Sequence, residues 1–250
     1  MQTKQNDMKA HEAQAALSWL IDMGADEIVG EEPVNRFAVV APPVVAPVAK
    51  VDPARAAPST AEACNTLEDL QAALLALENF PLKKTASNLC FAGGDPRSEV
   101  MVIGDVPGRD EDIEGKVFAG QNALLLEKML ASIGLSSGGV SLFNLIPWRP
   151  PGNRTPTEAE IQICQPYILR AIELCGPKFI LCLGGQSAQR LSGKSEGLLA
   201  LRGKWFDLKM AKKKIRVLPS FHPSYLLKQA SQKRLAWRDL LAFKEAIDAR

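Results

Sequence analysis

The chain has 250 residues, 46% of them apolar, and a formal net charge of +2; that is ample material for a core and too little charge to name a partner. Its five cysteines are odd in number and form no C-x-x-C pair, which argues against a disulfide framework or a zinc ribbon and suits a reducing cytoplasm. No apolar run reaches membrane-spanning length, and the opening MQTKQNDMKAHEAQ lacks the apolar centre of a secretory signal, so no membrane role is expected.

From about His11 to Met23 the apolar spacing predicts a short amphipathic helix, so 1–32 reads as an N-terminal helical segment. The Pro-, Ala- and Val-rich stretch after it, 33–60, reads as an extended linker, because its prolines exclude a helix. The folded domain is expected over 61–250. TLEDLQAALLALENF predicts a helix. EVMVIGD (Glu99–Asp105) predicts a buried strand ending in a glycine loop, and NALLLEKMLASIGL a helix closed by Gly134. Val140–Trp148 reads as a second strand. Thr157 with Glu160 forms a capping-box start for a helix through Leu174, kinked at Pro166. KFILCLGGQSAQRLSG gives a third strand, a glycine turn and a helix; KIRVLPSFHPSYLL gives a fourth strand and a loop; RLAWRDLLAFKEAIDA gives a final helix. Strands alternating with helices predict an α/β fold, a three-layer α/β/α sandwich around a four-stranded parallel sheet.

Charge is uneven along the chain. Residues 201–250 hold 13 Lys and Arg against four Asp and Glu, whereas residues 1–60 hold five against eight. The basic end suits a polyanion, although Lys212, Lys213 and Lys214 also fit a solvated hairpin tip.

In parallel sheets, ligands bind beyond the carboxyl ends of the strands. That rule collects Asp105, the loop carboxylates Asp110, Glu111 and Asp112, Asn144, Gln186 and His222 along one edge. The carboxylates could hold a metal, act as general bases or merely solvate the loop. Against a metal stand the absence of an H-x-x-x-H pattern and of a cysteine pair. The loop is neither a Walker P-loop nor a dinucleotide fingerprint.

GDVPGRDEDIEGKVFAG, NLIPWRPPGNRTPT and FHPSYLL together resemble the motifs of the family 4 uracil-DNA glycosylases, over roughly Ala73 to Ala246. The resemblance implies a DNA-repair hydrolase that flips deoxyuridine out of the duplex and cuts its N-glycosidic bond, leaving an abasic site and free uracil. It implies catalytic roles for Asp105, Glu111 and His222. Gly104, Val106, Pro107, Gly108, Phe118 and Asn144 would surround the base, with Phe118 stacking on it. The Asn144 amide would read its edge with donor and acceptor together. Arg149, Arg154, Gln186, Ser224, Tyr225, Leu226 and Lys228 would face DNA, with Tyr225 and Leu226 filling the vacated stack. A monomer in a bacterial cytoplasm or nucleoid is expected.

Two departures from the family pattern carry weight. Asp105 stands where the family has Glu. The family also holds a [4Fe–4S] cluster on four cysteines, and here three of those positions read Leu77, Phe80 and Trp148, leaving only Cys164. No cluster, metal or other cofactor is therefore expected. The competing reading is a non-catalytic module that holds uracil or abasic DNA on the same fold.

Overall fold

A computed structural model describes residues 60–249 except 79, 211 and 212, together with Gln14, Ala15 and Ser18. Those last three positions are helical; the rest of the expected N-terminal segment and the linker lie outside the described residues.

Among the described residues the sheet has six strands in the order β1-β3-β2-β4-β6-β5: β1 (Ala92–Gly94), β2 (Val100–Gly104), β3 (Ser141–Asn144), β4 (Phe179–Leu183), β5 (Phe206–Met210) and β6 (Lys213–Ser220). The four inner strands are parallel, as expected, and every residue of β2, β3 and β4 is buried. Two antiparallel edge strands, β1 and β5, enlarge the expected four to a mixed six.

Alternation along the buried strands divides the core into two sides. Met101, Ile103, Ile180 and Cys182 face one helical layer. This comprises α1 (Leu67–Ala76), α5 (Glu158–Cys175) and α6 (Gly185–Ser192), with the short α2 (Pro81–Thr85) and α7 (Leu198–Leu201), whose Leu82 and Leu201 are buried in the same core. Val100, Val102, Leu181 and Leu183 face the other layer, formed by α4 (Gly120–Ala131) and α9 (Lys233–Asp248), which buries Ala236, Leu240 and Phe243 from one stripe. Two short helices, α3 (Arg109–Glu114) and α8 (Pro223–Lys228), follow strand ends.

Helix α5 starts at a complete capping box: Thr157 Oγ1 accepts from Glu160 N, and Glu160 Oε2 accepts from Thr157 N at 2.7 Å. Pro166 lies inside this helix without ending it. The register then fixes the site. Gly104 pairs with both Asn144 and Leu183, and Leu183 pairs with Ser220, so the ends of all four parallel strands form one row. The basic hairpin is at the far end: Lys213 opens β6, seven steps from Ser220, or roughly 23 Å along the strand. Lys213 and Lys214 thus stand at the opposite end of the strand from the site, in keeping with the hairpin-tip alternative; Lys214 pairs with Asp207 at 2.9 Å. Lys212 lies outside the described residues.

Candidate active site

At the centre of the row stands Gly104. A Cβ there would lie 2.6 Å from Asn144 Oδ1, 3.2 Å from Phe118 Cζ and 3.5 Å from His222 Nε2. Three groups of different chemistry therefore converge on one point, and only a residue without a side chain leaves the point open.

Asn144 ends β3 and is buried. Its Nδ2 donates to Cys90 O at 3.1 Å and Val117 O at 3.3 Å. Both amide hydrogens are thereby committed, and Oδ1 is buried with no hydrogen-bond partner among the described residues. The expectation that this amide offers both a donor and an acceptor is corrected: two main-chain carbonyls consume the donors and leave an oriented acceptor. The flipped amide would press its oxygen against both carbonyls, so the orientation is fixed.

His222 caps α8, and its Nδ1 accepts the Ser224 backbone N–H at 3.2 Å, with Ser224 Oγ 2.7 Å away. A backbone amide can only donate, so Nδ1 is the acceptor and the proton of the neutral ring rides on Nε2, the atom near Gly104. Burial holds the imidazole below its ordinary value, while the charges of Asp105 and Glu111 push the other way. Phe118 lies beside this ring with centroids 5.5 Å apart and planes 26° apart. A flat ring lying on Phe118 would therefore run roughly parallel to the imidazole.

The carboxylates are unequal. Asp105 Oδ1 accepts from Ser187 N at 2.8 Å and Ser187 Oγ at 2.6 Å, and Oδ2 accepts from Gln186 N at 3.2 Å. It thus caps the N-terminus of α6 from another strand. Gly184, at φ +132°, makes room: a Cβ there would stand 2.3 Å from the Asp105 carboxylate. Three of the four lone-pair positions of Asp105 are used, and Oδ2 retains one.

Glu111 is more fully committed. Its Oε2 accepts from Gly108 N at 3.0 Å, and Oε1 from Ala119 N at 3.2 Å and Asn122 Nδ2 at 2.9 Å. It ties the glycine loop to the Phe118–Ala119 segment. Asp112 is likewise occupied, accepting from Ser87 N and Asn88 N. Asp110 is exposed and Glu114 pairs with Lys116 at 2.8 Å. Val106 is half-buried, Pro107 is buried and Gly108 opens α3.

The residues expected on DNA divide. Tyr225 and Lys228 are exposed on α8, and Gln186 is half-buried at the head of α6. Ser224 is engaged with His222. Arg149 is half-buried, donating through Nε to Asn153 Oδ1 at 2.8 Å. Arg154 is corrected: its guanidinium is paired bidentately with Glu160, at 2.9 and 2.6 Å, so the fork is already occupied. Leu226 is corrected as well. It is 1% exposed and belongs to the core, whereas Leu227 beside it is 43% exposed. Sequence reading missed Leu227 because the helical turn after Pro223 decides which of two adjacent leucines faces outward. Asn122 and Ser187 were missed too, since each acts on a carboxylate distant in sequence.

Among the described residues, no three His, Cys, Asp or Glu groups gather as metal ligands, and no helix is long and apolar enough to cross a membrane. An open hollow of about 310 Å³ lies against Phe118, lined by Gly93, Val117, Leu126 and Leu142, apart from Gly104 and His222.

The carboxyl-edge site thus offers an aromatic platform, an oriented acceptor and a neutral N–H donor, with a carboxylate nearby. Known proteins share the framework. The chain is 34% identical over 166 residues to the type-4 uracil-DNA glycosylase of Archaeoglobus fulgidus, an overlap of 65% of this chain and 83% of the relative. It is 36% identical over 174 residues to that of Saccharolobus solfataricus, covering 68% and 81%, and 33% identical over 170 residues to that of Thermotoga maritima, covering 67% and 87%. The family model of the Uracil DNA glycosylase superfamily matches residues 91–241, from the strand that opens the sheet edge to the last helix, and so spans every group just described. On these grounds the chain belongs to the uracil DNA glycosylase superfamily.

Proposed function

We propose that the chain is a uracil-DNA glycosylase of the type-4 kind, hydrolysing the N-glycosidic bond of a flipped-out deoxyuridine to leave an abasic site and free uracil. The observation that carries this reading is the convergence of Asn144 Oδ1, Phe118 Cζ and His222 Nε2 on Gly104.

A uracil lying on Phe118 would give its N3–H to Asn144 Oδ1, the buried acceptor with no partner among the described residues. Cytosine carries a lone pair at N3, so acceptor would meet acceptor and the base would be refused. As the bond to the sugar breaks, the electron pair moves onto the base, and His222 Nε2–H donates to the oxygen O2 where negative charge collects. A fixed donor in a dry site is worth most at that moment. The sugar turns positive, and the Asp105 carboxylate, locked by three hydrogen bonds, supplies a fixed negative charge and one lone pair for the incoming water. The tight commitment of Glu111 to Gly108, Ala119 and Asn122 favours a bracing role for it over a role on the substrate.

The family resemblance also implies a [4Fe–4S] cluster on four cysteines, of which this chain keeps Cys164. One thiolate cannot hold four irons. Cys164 is fully buried, with burial pushing its thiol far up. Phe80 and Trp148 are buried in the same core as Cys164, their ring centroids 5.2 Å apart, and Leu77 packs against that core. These residues do not fit a cluster, and no step runs through one. Iron and sulfide analysis after anaerobic purification is expected to find neither in stoichiometric amount; finding both would overturn this part.

The reading extends to a protein that works as a monomer, since one chain carries every group invoked, and in the bacterial cytoplasm, in keeping with five unpaired cysteines. The test of function is direct: incubate the protein with a uracil-containing oligonucleotide, treat with alkali and look for strand scission at the uracil. Binding without scission would favour the product-holding module instead.

A further inference from the structure

Behind the His222 turn lies a buried charged network that the mechanism above does not use. Asp239, on α9, is 2% exposed. Its Oδ1 accepts from Arg202 Nη2, and its Oδ2 accepts from Arg202 Nε at 3.1 Å and from Ser220 Oγ at 2.8 Å. Arg202 Nη2 also donates to Leu235 O at 2.8 Å, and its guanidinium carbon lies 5.4 Å over the ring of Phe221. Phe221 in turn stacks on Tyr225, centroids 5.1 Å and planes 24° apart. The next residue of the same segment, Gly203, donates to Pro219 O at 2.9 Å and leaves room for the carboxylate: a Cβ there would meet Asp239 Oδ1 at 2.7 Å.

Apart from the anchor to Leu235 O, the contacts of this network fall on Pro219, Ser220 and Phe221, the three residues that lead into His222, and reach Tyr225 through the stack. Ser220 also faces the other half of the site, because its carbonyl accepts from Gly184 N at 3.1 Å, next to the Asp105 carboxylate. A buried ion pair adds little net stability over apolar packing, since desolvation of both ions offsets their attraction. Burial even pushes the Asp239 carboxyl up, against the pull of Ser220 and Arg202. What such a pair supplies is direction, because a fork of donors fixes angle as well as distance.

We propose that Arg202, Ser220 and Asp239 are positioning residues that hold the end of β6 so that His222 Nε2 stays aimed over Gly104. The proposal rests on His222 acting as the donor to the leaving base. None of the three touches substrate; each acts through the backbone of 219–222 or the Phe221 ring.

The test uses the full chain with Ser220→Ala, Arg202→Lys and Asp239→Asn, each first checked by thermal melting to be folded at the assay temperature. Two quantities are read. The first is single-turnover uracil release at saturating DNA, beside the Kd for the same DNA. The second is titration of the imidazole signals by NMR, which is simple because the chain has only two histidines, with His11 as internal reference. Ser220→Ala removes one hydroxyl and leaves the ion pair, so it decides the matter even if Asp239→Asn does not fold. Expected are a rate loss of about tenfold, as for a group displaced by a fraction of an ångström, an unchanged Kd, and a His222 pKa that climbs toward the ordinary 6.5 as the turn loosens and water enters. Arg202→Lys should lose rate similarly, since a point charge cannot replace the fork. A folded Ser220→Ala protein with wild-type rate and wild-type His222 titration overturns the proposal. So does a rate loss with an unmoved His222. If the wild-type protein releases no uracil, the functional reading fails, but the His222 titration still tests the positioning claim.

Discussion

Glu111→Gln separates a brace from a catalyst. The wild-type carboxylate accepts three hydrogen bonds, from Gly108 N, Ala119 N and Asn122 Nδ2. Glutamine is isosteric, but one of its terminal atoms donates. The least costly orientation keeps the oxygen toward Ala119 and Asn122 and turns the NH2 toward Gly108 N, so one charge-assisted hydrogen bond is lost and two donors face each other. A hydrogen bond to a charged group contributes about 1.5–3 kcal/mol. Taking about 2 kcal/mol, and about 2–4 °C per kcal/mol for a domain of this size, the melting temperature should fall by about 4–8 °C. The loosened link joins the glycine loop to Phe118, so uracil release should also slow, on the order of tenfold. The assay pairs thermal unfolding with single-turnover release on one uracil oligonucleotide. An unchanged melting temperature with a strongly reduced rate would refute the brace, because it would mean the carboxylate is free to act on substrate.

Asp105→Asn removes the fixed negative charge that faces the developing sugar cation. Release should slow on the order of tenfold or more while DNA binding, measured by fluorescence anisotropy, holds or tightens. Stability should fall on the acid side. Because the folded state depresses the His222 pKa, there is no penalty well above 6.5, but as pH drops below that value the unfolded ring gains a proton that the folded ring refuses. Denaturant unfolding at stepped pH checks the sign, and His222→Ala should flatten that part of the profile. Lys228→Ala should reduce the salt slope of DNA binding by about one, whereas Lys213→Ala with Lys214→Ala, at the far edge, should leave it unchanged.

The parallel strands were legible because their residues are buried on both faces and read as continuous apolar runs: VMVIG and FILCL have no competing period. The edge strands were not. Ala92–Gly94 carries no β-branched residue and exists by pairing with β3, and Phe206–Met210 alternates but carries two charged residues in five. Asp105, Asn144 and His222 were legible as neighbours along one edge, since the carboxyl-edge rule needs only to know where strands stop; Phe118 follows no strand and entered only through the motif resemblance. Their roles were less so. Whether Glu111 braces or reacts depends on Asn122 and Ala119, which the chain brings near only through the α3–α4 turn. Whether Arg154 is free for phosphate depends on Glu160, one turn into the helix it precedes. The Asn144 amide looked bifunctional until two carbonyls, from Cys90 and Val117, proved to occupy both hydrogens. Contacts made by main-chain atoms leave no trace in residue identity.

The most direct test of the central claim is single-turnover base release from matched duplexes bearing uracil or cytosine at the same position, with wild-type protein and Asn144→Ala. The account predicts release of uracil and not of cytosine by the wild type, and a loss on the order of 100-fold for uracil in the variant, through the missing acceptor for N3–H. Undiminished uracil release by folded Asn144→Ala, or release of cytosine by the wild type at a comparable rate, would contradict it.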